Sequence, residues 1–459
     1  MNFIRKYLLM FILIGSVVQG FGQDKIETLK LSLPEAQAFA LQNNRAIKSS
    51  KIDIQHAEKQ VWENLATGLP QFNVAANYLH QFVVPQLSLG PVLNVNSLPD
   101  GNITKSDLMN AYIESPPFAL GVRNNTTIDF TVSQLIFSGQ YLVGLQAAKV
   151  VKEMTEESLV KTENETKESV AGTYHLVLVL GENEKVLNQS LKSVDQTYNE
   201  LVKMNEQGLN EETDVDQVKI SKSNIQTLIT SIESQKQISI KLLKFQLGLS
   251  FDQNIELTDS LPGIIEQGKI EYLTSTAFDV NNSVDYHLVN YQEKISALML
   301  KLEKAKYLPT MSAFYRHEEQ TNMPAFNFAV KDVVGASLSI PIFTSGMRNA
   351  RVSEARFDLA KADLAKENAG QGLIMEFETA KSTYQTAYSN FITNRESMDL
   401  SKKVYDKTVI KYKEGVSSSF ELTQNQNQFL TAESNYYNSV LSLLNAKAKL
   451  DRILSNSNK

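Results

Sequence analysis

Cysteine is absent from this chain of 459 residues. Without thiols the protein has no disulfide bonds, and it has no cysteine that could carry a lipoprotein anchor. The formal net charge is only −6, so nucleic acid is not expected as a partner. Beyond the amino terminus, no apolar run approaches the roughly 20 residues that a transmembrane helix needs. If this protein crosses a membrane, it must therefore do so with β-strands.

The longest apolar stretch lies at the amino terminus. Arg5 and Lys6 precede the mostly apolar residues 7–18, and small residues follow around Gly20 and Gly22. This order predicts a secretory signal peptide over residues 1–22, with an uncleaved anchor as the alternative. Export would bring the mature protein to the periplasm, the outer membrane or the exterior of a bacterium.

Proline is absent from residues 118–261 and from residues 342–459. Because proline breaks helix interiors, both blocks can form long helices. Each block contains one short interruption, at Gly208-Leu209 in the first and at Gly415-Val416 in the second. We therefore predict that each block folds as an antiparallel hairpin of two long helices.

Two pairs of strands are predicted between the helices. A helical pattern stops at Leu69-Pro70 and again at Leu308-Pro309, and apolar and polar residues alternate after each junction. A further alternating segment follows in each half. It ends in Ile-Phe-Ser-Gly over residues 136–139, and in Pro-Ile-Phe-Thr-Ser-Gly over residues 341–346.

The order helix, strand, strand, long helical hairpin therefore occurs twice, over residues 23–262 and 263–459. A shift of 207 residues places Gly208 on Gly415. In the first repeat the two strands are joined by a long loop, residues 79–125, which is rich in Pro, Asn and Gly. The predicted fold class is mainly α with a small β part.

Four strands of about ten residues with one apolar face are typical of transmembrane β-strands. Four strands cannot close a barrel, and an open sheet in lipid would leave its edges unpaired, so several copies must contribute. Three copies would give twelve strands. A β-sandwich core is the alternative interpretation of the same alternation. In the barrel, an aqueous lumen would be lined by Gln71, Asn73, Asn77, Thr127, Asp129, Thr131, Ser133, Ser337 and Ser339.

In these features the mature chain resembles the TolC-type outer-membrane efflux channel proteins over essentially its whole length. The resemblance rests on the two Leu-Pro junctions, the two strand-to-helix turns and the two hairpin breaks, in an order that occurs twice. It implies a homotrimer in outer-membrane lipid, with a twelve-stranded outer-membrane β-barrel continued by a periplasmic α-helical barrel.

The resemblance also implies a function. The protein would be the exit duct of a tripartite efflux or type I secretion system, a passive conduit for substrates. An inner-membrane transporter of RND, ABC or MFS type would deliver them through a periplasmic adaptor (membrane fusion) protein. The sequence leaves open which substrate is carried and which transporter class is used.

Members of this family close their periplasmic aperture at the hairpin tips with carboxylates and a tyrosine. The positions that match this gate are Asp214, Tyr412 and Glu421. Ser417 stands where the family's prototype has an arginine, and Gln424 stands at a second acidic position, so a less charged gate is expected. Taken singly, such carboxylates are most often solvated helix ends. The shift of 207 residues places Asp214 on Glu421, and this position in both repeats favours the gate. The tips expected to dock the adaptor are Gly208, Leu209, Gly415 and Val416.

Signatures of catalysis are missing from the sequence. The five histidines are scattered without ligand spacing, so no metal site is expected. No nucleophile elbow, phosphate-binding loop or dinucleotide fingerprint occurs, and we expect neither an enzyme nor a cofactor. A soluble periplasmic or extracellular coiled-coil scaffold is the rival class. Four amphipathic strands favour the channel, because a scaffold has no need of them.

Overall fold

The computed structural model describes residues 28–115, 117–267, 278–323, 327 and 329–455. The predicted signal peptide lies outside these residues. The described helices are α1 (Leu33–Asn43), α2 (Arg45–Ala66), α3 (Lys105–Asn110), α4 (Gly139–Glu206), α5 (Glu212–Leu247), α6 (Leu261–Gln267), α7 (Val284–Ala305), α8 (Met347–Lys413) and α9 (Ser419–Leu454). The described strands are β1 (Leu29–Leu31), β2 (Gln71–His80), β3 (Gln86–Leu87), β4 (Pro91–Leu93), β5 (Tyr112–Glu114), β6 (Phe118–Ala119), β7 (Asn124–Ser138), β8 (Ile255–Leu257), β9 (Thr310–Gln320) and β10 (Asp332–Ser339).

Two compact units make up the described chain. The helical unit consists of the described residues of Met1–Asp53, Thr155–Val289 and Lys366–Lys459. The sheet unit consists of Ile54–Met154 and the described residues of Asn290–Ala365. Each unit takes segments from both predicted repeats, so the repeat boundaries remain predictions from the sequence. Across the described residues, no helix combines the length and the apolar character that crossing a bilayer requires.

The sheet unit is built on one four-stranded antiparallel sheet with the strand order β10-β9-β7-β2. All four predicted strands are therefore present, and their lengths are 10, 15, 11 and 8 residues in chain order. The pairing of β7 with β9 joins the strands of the two repeats. In a single copy the sheet is open, with β2 and β10 as unpaired edges.

The strand register gives the sheet one apolar face. One row of facing residues across the sheet consists of Phe72, Val132, Tyr315 and Val334. The neighbouring row points to the other face and consists of Asn73, Thr131, Arg316 and Val333. The apolar face is uncovered, since Phe72 is 65% and Val334 is 81% exposed. A β-sandwich would cover this face with a second sheet, so the sandwich interpretation was wrong for the described residues.

Gly139 shows how the predicted junction motifs fit together within the sheet unit. A Cβ atom at this position would lie 2.6 Å from Leu308 Cδ1 and 3.1 Å from the carbonyl oxygen of Ala305. Only a glycine allows this approach without a shift of its neighbours. The strand-to-helix turn of the first repeat is therefore packed against the helix-to-strand junction of the second.

The segment between β2 and β7, residues 81–123, is called the arm below. The sequence predicted a long loop here, but the described arm residues continue the hairpin beyond the sheet. The backbone of Gln81 bonds Arg123 at 2.7 Å, and that of Asn94 bonds Ala111 at 2.8 Å. Between these bonds β3 pairs with β6, and β4 pairs with β5.

The helical unit contains both predicted hairpins. Helices α5 and α9 have 36 residues each, and α4 and α8 have 68 and 67 residues. The helical segment between Leu33 and Ala66 is interrupted at Asn44. The side chain of Asn44 accepts a hydrogen bond from the backbone of Ala46 at 2.8 Å and donates one to the carbonyl of Gln246 at 2.6 Å. This side chain caps α2 and ties its start to the end of α5.

A two-stranded parallel sheet in the helical unit was not predicted. Its strands, β1 and β8, have three residues each. The buried hydroxyl of Tyr174 donates to the Leu31 carbonyl or to the Asp259 carboxylate, which lie at 3.0 and 2.9 Å. This hydroxyl fixes the end of β1 against α4. Three-residue strands carry too little alternation to be recognised in a sequence.

Candidate functional site at the hairpin tips

Both hairpin tips are formed by the same backbone motif. Gly208 and Gly415 have φ angles of 73° and 75°. The amide after each glycine bonds back to a carbonyl five residues earlier, Leu209 to Met204 and Val416 to Lys411, both at 2.9 Å. These are Schellman motifs, in which the left-handed residue is normally glycine. The two predicted breaks are thus confirmed as helix ends.

The apolar residue after each glycine is exposed. Leu209 is 66% and Val416 is 76% exposed. Hydrophobic side chains at the end of a charged helical hairpin are available to a partner surface. The role of these two residues in docking an adaptor stays a prediction.

Asp214 connects the two hairpins within one copy. It lies in the first turn of α5, where the helix dipole favours a negative charge. Its carboxylate oxygen Oδ1 accepts a short hydrogen bond from the hydroxyl of Ser419, the buried first residue of α9. The Gln217 amide oxygen lies 3.0 Å from the same hydroxyl. Because a serine has one hydrogen to donate, these two acceptors compete for it.

Glu421 occupies a different environment. It lies in the first turn of α9 and its side chain is exposed. Its carboxylate accepts a hydrogen bond from the Ser417 hydroxyl at 2.6 Å, and its backbone amide donates to the Ser418 side chain at 3.2 Å. Ser417, which replaces the arginine of the prototype, therefore orients this carboxylate. The two acidic positions that overlay in the sequence have separate surroundings in the structure.

Tyr412 is half-buried between the hairpins. Its ring packs against a cluster that includes Val218 and against a second cluster that includes Leu422. Burial, and secondly the nearby charge of Asp214, raises the pKa of Tyr412 to about 12. The hydroxyl therefore stays protonated at neutral pH and can donate a hydrogen bond.

Further contacts between α5 and α9 lie seven residues beyond the contact at the tips. Seven residues beyond Asp214 and Ser419, the buried Ser221 lies with its hydroxyl 2.6 Å from the Gln426 amide oxygen. The Gln426 amide nitrogen is buried without a partner among the described residues. Ser419, Ser221 and Gln426 were not predicted as site residues. Their common spacing of 205 residues between the helices was the available signal.

One buried carboxylate was also missed. Glu433 lies seven residues beyond Gln426 in α9 and is 2% exposed. Both of its carboxylate oxygens lack a hydrogen-bond partner among the described residues. Burial raises the pKa of Glu433 to about 7. An isolated ionised carboxylate is costly to bury, and such a group is instead neutralised by binding a proton.

No group of side chains in the described part of the chain is arranged to hold a metal ion. The tips contain carboxylates, hydroxyls and one phenol. These groups can attract cations and exchange hydrogen bonds between hairpins.

The comparisons with known proteins agree with this architecture. Residues 300–456 match the family described as outer membrane efflux protein. A search of curated protein sequences finds no match. The fold is similar to that of CusC, whose structures are described in terms of transmembrane channel formation, with a TM-score of 0.72, 14% identity and 94% of each chain covered.

Two further solved structures have the same fold. The outer membrane protein VceC of Vibrio cholerae matches with a TM-score of 0.70 at 15% identity, over 93% of this chain and 97% of VceC. The CmeC outer membrane channel of Campylobacter jejuni matches with a TM-score of 0.69 at 16% identity, over 92% and 85% of the two chains.

The open four-stranded sheet and the paired helical hairpins thus give this chain the fold of these outer-membrane channel structures. The match to the outer membrane efflux protein family covers residues 300–456, and the similarity in fold extends over 94% of the chain. That family is one of ducts and not a class of enzymes.

Proposed function

We propose that this protein is the outer-membrane exit duct of a tripartite efflux or type I secretion system. The observation that carries this proposal is the open four-stranded sheet with its uncovered apolar face. Such a sheet is stable in lipid only if its edges β2 and β10 pair with other copies. Three copies would supply the twelve strands of a closed barrel, with the apolar faces towards lipid and the polar faces towards water.

The proposed barrel can close between copies because the strand directions alternate. Across one copy, β2, β7, β9 and β10 are all antiparallel to their neighbours. The strand β10 of one copy is therefore antiparallel to the β2 strand of the next. The seams between copies can have the same hydrogen-bond pattern as the sheet itself.

The proposal extends to the proteins with which the duct would assemble. The hairpin tips, with exposed Leu209 and Val416, would dock a periplasmic adaptor protein. The adaptor would connect the duct to an inner-membrane transporter of RND, ABC or MFS type. The duct itself would be passive, so the transporter would select the substrate.

The gate would lie at the same tips. Threefold symmetry would bring three exposed Glu421 carboxylates around the axis, where a ring of acidic side chains attracts cations. Asp214, bound to Ser419, would hold the two hairpins of each copy together. The Tyr412 hydroxyl would add a donor between neighbouring hairpins.

Membrane extraction tests the class of protein. An integral barrel should stay in the membrane pellet in alkaline carbonate and should be released by detergent. The scaffold interpretation requires that carbonate or osmotic shock releases the protein without detergent. Release of that kind would rule out the duct.

Surface labelling tests the orientation. An epitope inserted between Asp100 and Gly101, both exposed in the arm, should be labelled on intact cells because outer-membrane barrels place their longer loops outside. The matched control is the same epitope appended after Lys459, which should be labelled only after the outer membrane is permeabilised. Labelling of the arm epitope only after permeabilisation would reverse the proposed orientation.

A further inference from the structure

The arm exposes an unusual amount of apolar surface. Phe82 is 86% and Val83 is 83% exposed at its base. The corresponding connection of the second repeat, between β9 and β10, spans only residues 321–331, whereas the arm spans residues 81–123. The charged residues of the arm are few: Asp100, Lys105, Asp107, Glu114 and Arg123. A long connection of this composition needs a covering surface if it lies in water.

The apolar surface lies on both faces of the arm. In the ladder of β4 and β5, Val92 faces Ile113, and the next rung pairs Leu93 with Tyr112. Successive rungs of a ladder point to opposite faces. All four side chains are between 37% and 55% exposed. The ladder therefore has one apolar pair on each side, and the exposed Glu114, opposite Pro91, lies at the end of the Tyr112 side.

Because both faces of the arm expose apolar side chains, copies of the same chain are favoured as partners over a single outside protein. One bound protein would cover one face and leave the other in water. The arm extends from β2, the edge of the sheet that meets the next copy in the proposed trimer. Around a threefold axis each arm has a neighbour on both sides, so copies of the chain cover both faces at once.

We propose that the three arms pack against one another around the threefold axis at the outer mouth of the barrel, each arm covering opposite faces of its two neighbours. This inference rests on the proposed trimer. The contact is heterologous, because the Val92 side of one copy meets the Tyr112 side of the next and the ring closes after three. The packed arms stabilise the contacts between copies beyond the sheet and narrow the outer opening of the barrel.

A pair of engineered cysteines tests this arrangement. The natural chain has no cysteine, so Val92→Cys with Tyr112→Cys introduces the only thiols. The two residues lie on opposite faces of one arm and cannot form a disulfide within a chain. After oxidation in the assembled protein, the double variant should migrate as covalent dimers and trimers on a non-reducing denaturing gel. Each single variant should give no covalent dimer, because one face does not meet its own copy.

The outcomes distinguish a failure of the proposed arm contact from a failure of the proposed trimer. If the double variant has the mass of three copies in detergent but stays monomeric after oxidation, the arms stand apart and the inference is wrong while the duct remains. If the parent has the mass of one copy, the proposed function and the inference both fail.

A second variant covers the case in which the double cysteine variant does not assemble. Val92→Lys should lower the temperature at which the trimer dissociates in dodecyl sulfate by several degrees, because it places a charge in each arm contact. Asn96→Lys is the matched control, since it adds the same charge at an exposed polar position of the same arm. Equal dissociation temperatures for the two lysine variants would overturn the packing of the arms.

Discussion

Replacing Glu433 by glutamine is expected to stabilise the helical unit by about 3 kcal/mol at pH 8. The carboxyl group is buried without a partner among the described residues, and its pKa rises from the ordinary 4.5 to about 7. Above pH 7 the folded protein must either hold a buried charge or keep a proton that the unfolded chain has released. Glutamine has a similar shape and no charge to bury.

The pH dependence has a definite sign. Below about pH 4.5 the carboxyl group is protonated in the folded and the unfolded chain, so it makes no difference to stability. As the pH rises from 4.5 to 7, the unfolded chain loses the proton first, and the free energy of unfolding falls. Above pH 7 the loss is complete and stays constant. The parent should therefore unfold at a lower temperature at pH 8 than at pH 5.

Thermal unfolding, followed by helical circular dichroism in detergent at pH 5 and pH 8, measures this effect. Glu433→Gln should remove most of the difference between the two pH values. The matched control is Glu378→Gln, because Glu378 is an exposed glutamate of α8. If Glu433→Gln and the control unfold at the same temperature at pH 8, then the Glu433 carboxyl is not buried without a partner.

Ser419→Ala is expected to open the proposed periplasmic gate. The substitution removes the hydroxyl that donates to Asp214 and so weakens the connection between the two hairpins of each copy. A hydrogen bond to a charged group contributes about 1.5 to 3 kcal/mol, so the open fraction should rise by about tenfold or more. Resting single-channel conductance in planar bilayers measures this fraction. Tyr412→Phe should act in the same direction, because it removes the phenol donor.

Glu421→Gln should change a different property of the gate. The exposed carboxylates should bind trivalent cations applied from the periplasmic side, and their replacement should weaken the block of the current. Resting conductance should stay close to that of the parent, because among the described residues Glu421 bonds within its own tip, to Ser417 and Ser418. If Ser419→Ala changes cation block alone while Glu421→Gln raises resting conductance, the two roles have been assigned to the wrong residues.

The parts of the fold that could be predicted depend on local sequence patterns. Gly208 and Gly415 mark the hairpin tips because a left-handed backbone favours glycine at any helix end. The strands of the sheet could be predicted because alternation is visible within a few residues of each Leu-Pro junction. The repeat then supplied the order of the elements, since the same signals occurred twice.

The features that were missed depend on distant contacts. Asn44 interrupts a helix because its side chain bonds Gln246, which is 202 positions away. The arm was predicted as a long loop, because its ladders have only two or three residues per strand and the arm contains several prolines. Within the candidate site, Asp214 and Glu421 were treated as equivalents. Only the packing of α5 against α9 shows that Asp214 bonds Ser419 while Glu421 remains exposed.

The number of copies in the detergent-solubilised particle tests the central claim most directly. Native mass measurement of the purified mature protein, with amine cross-linking as a second method, should give three copies and no larger covalent species. Twelve strands then close the barrel that the open sheet of one copy cannot form. A monodisperse single copy that stays soluble without detergent would contradict the assignment of this protein as an outer-membrane duct.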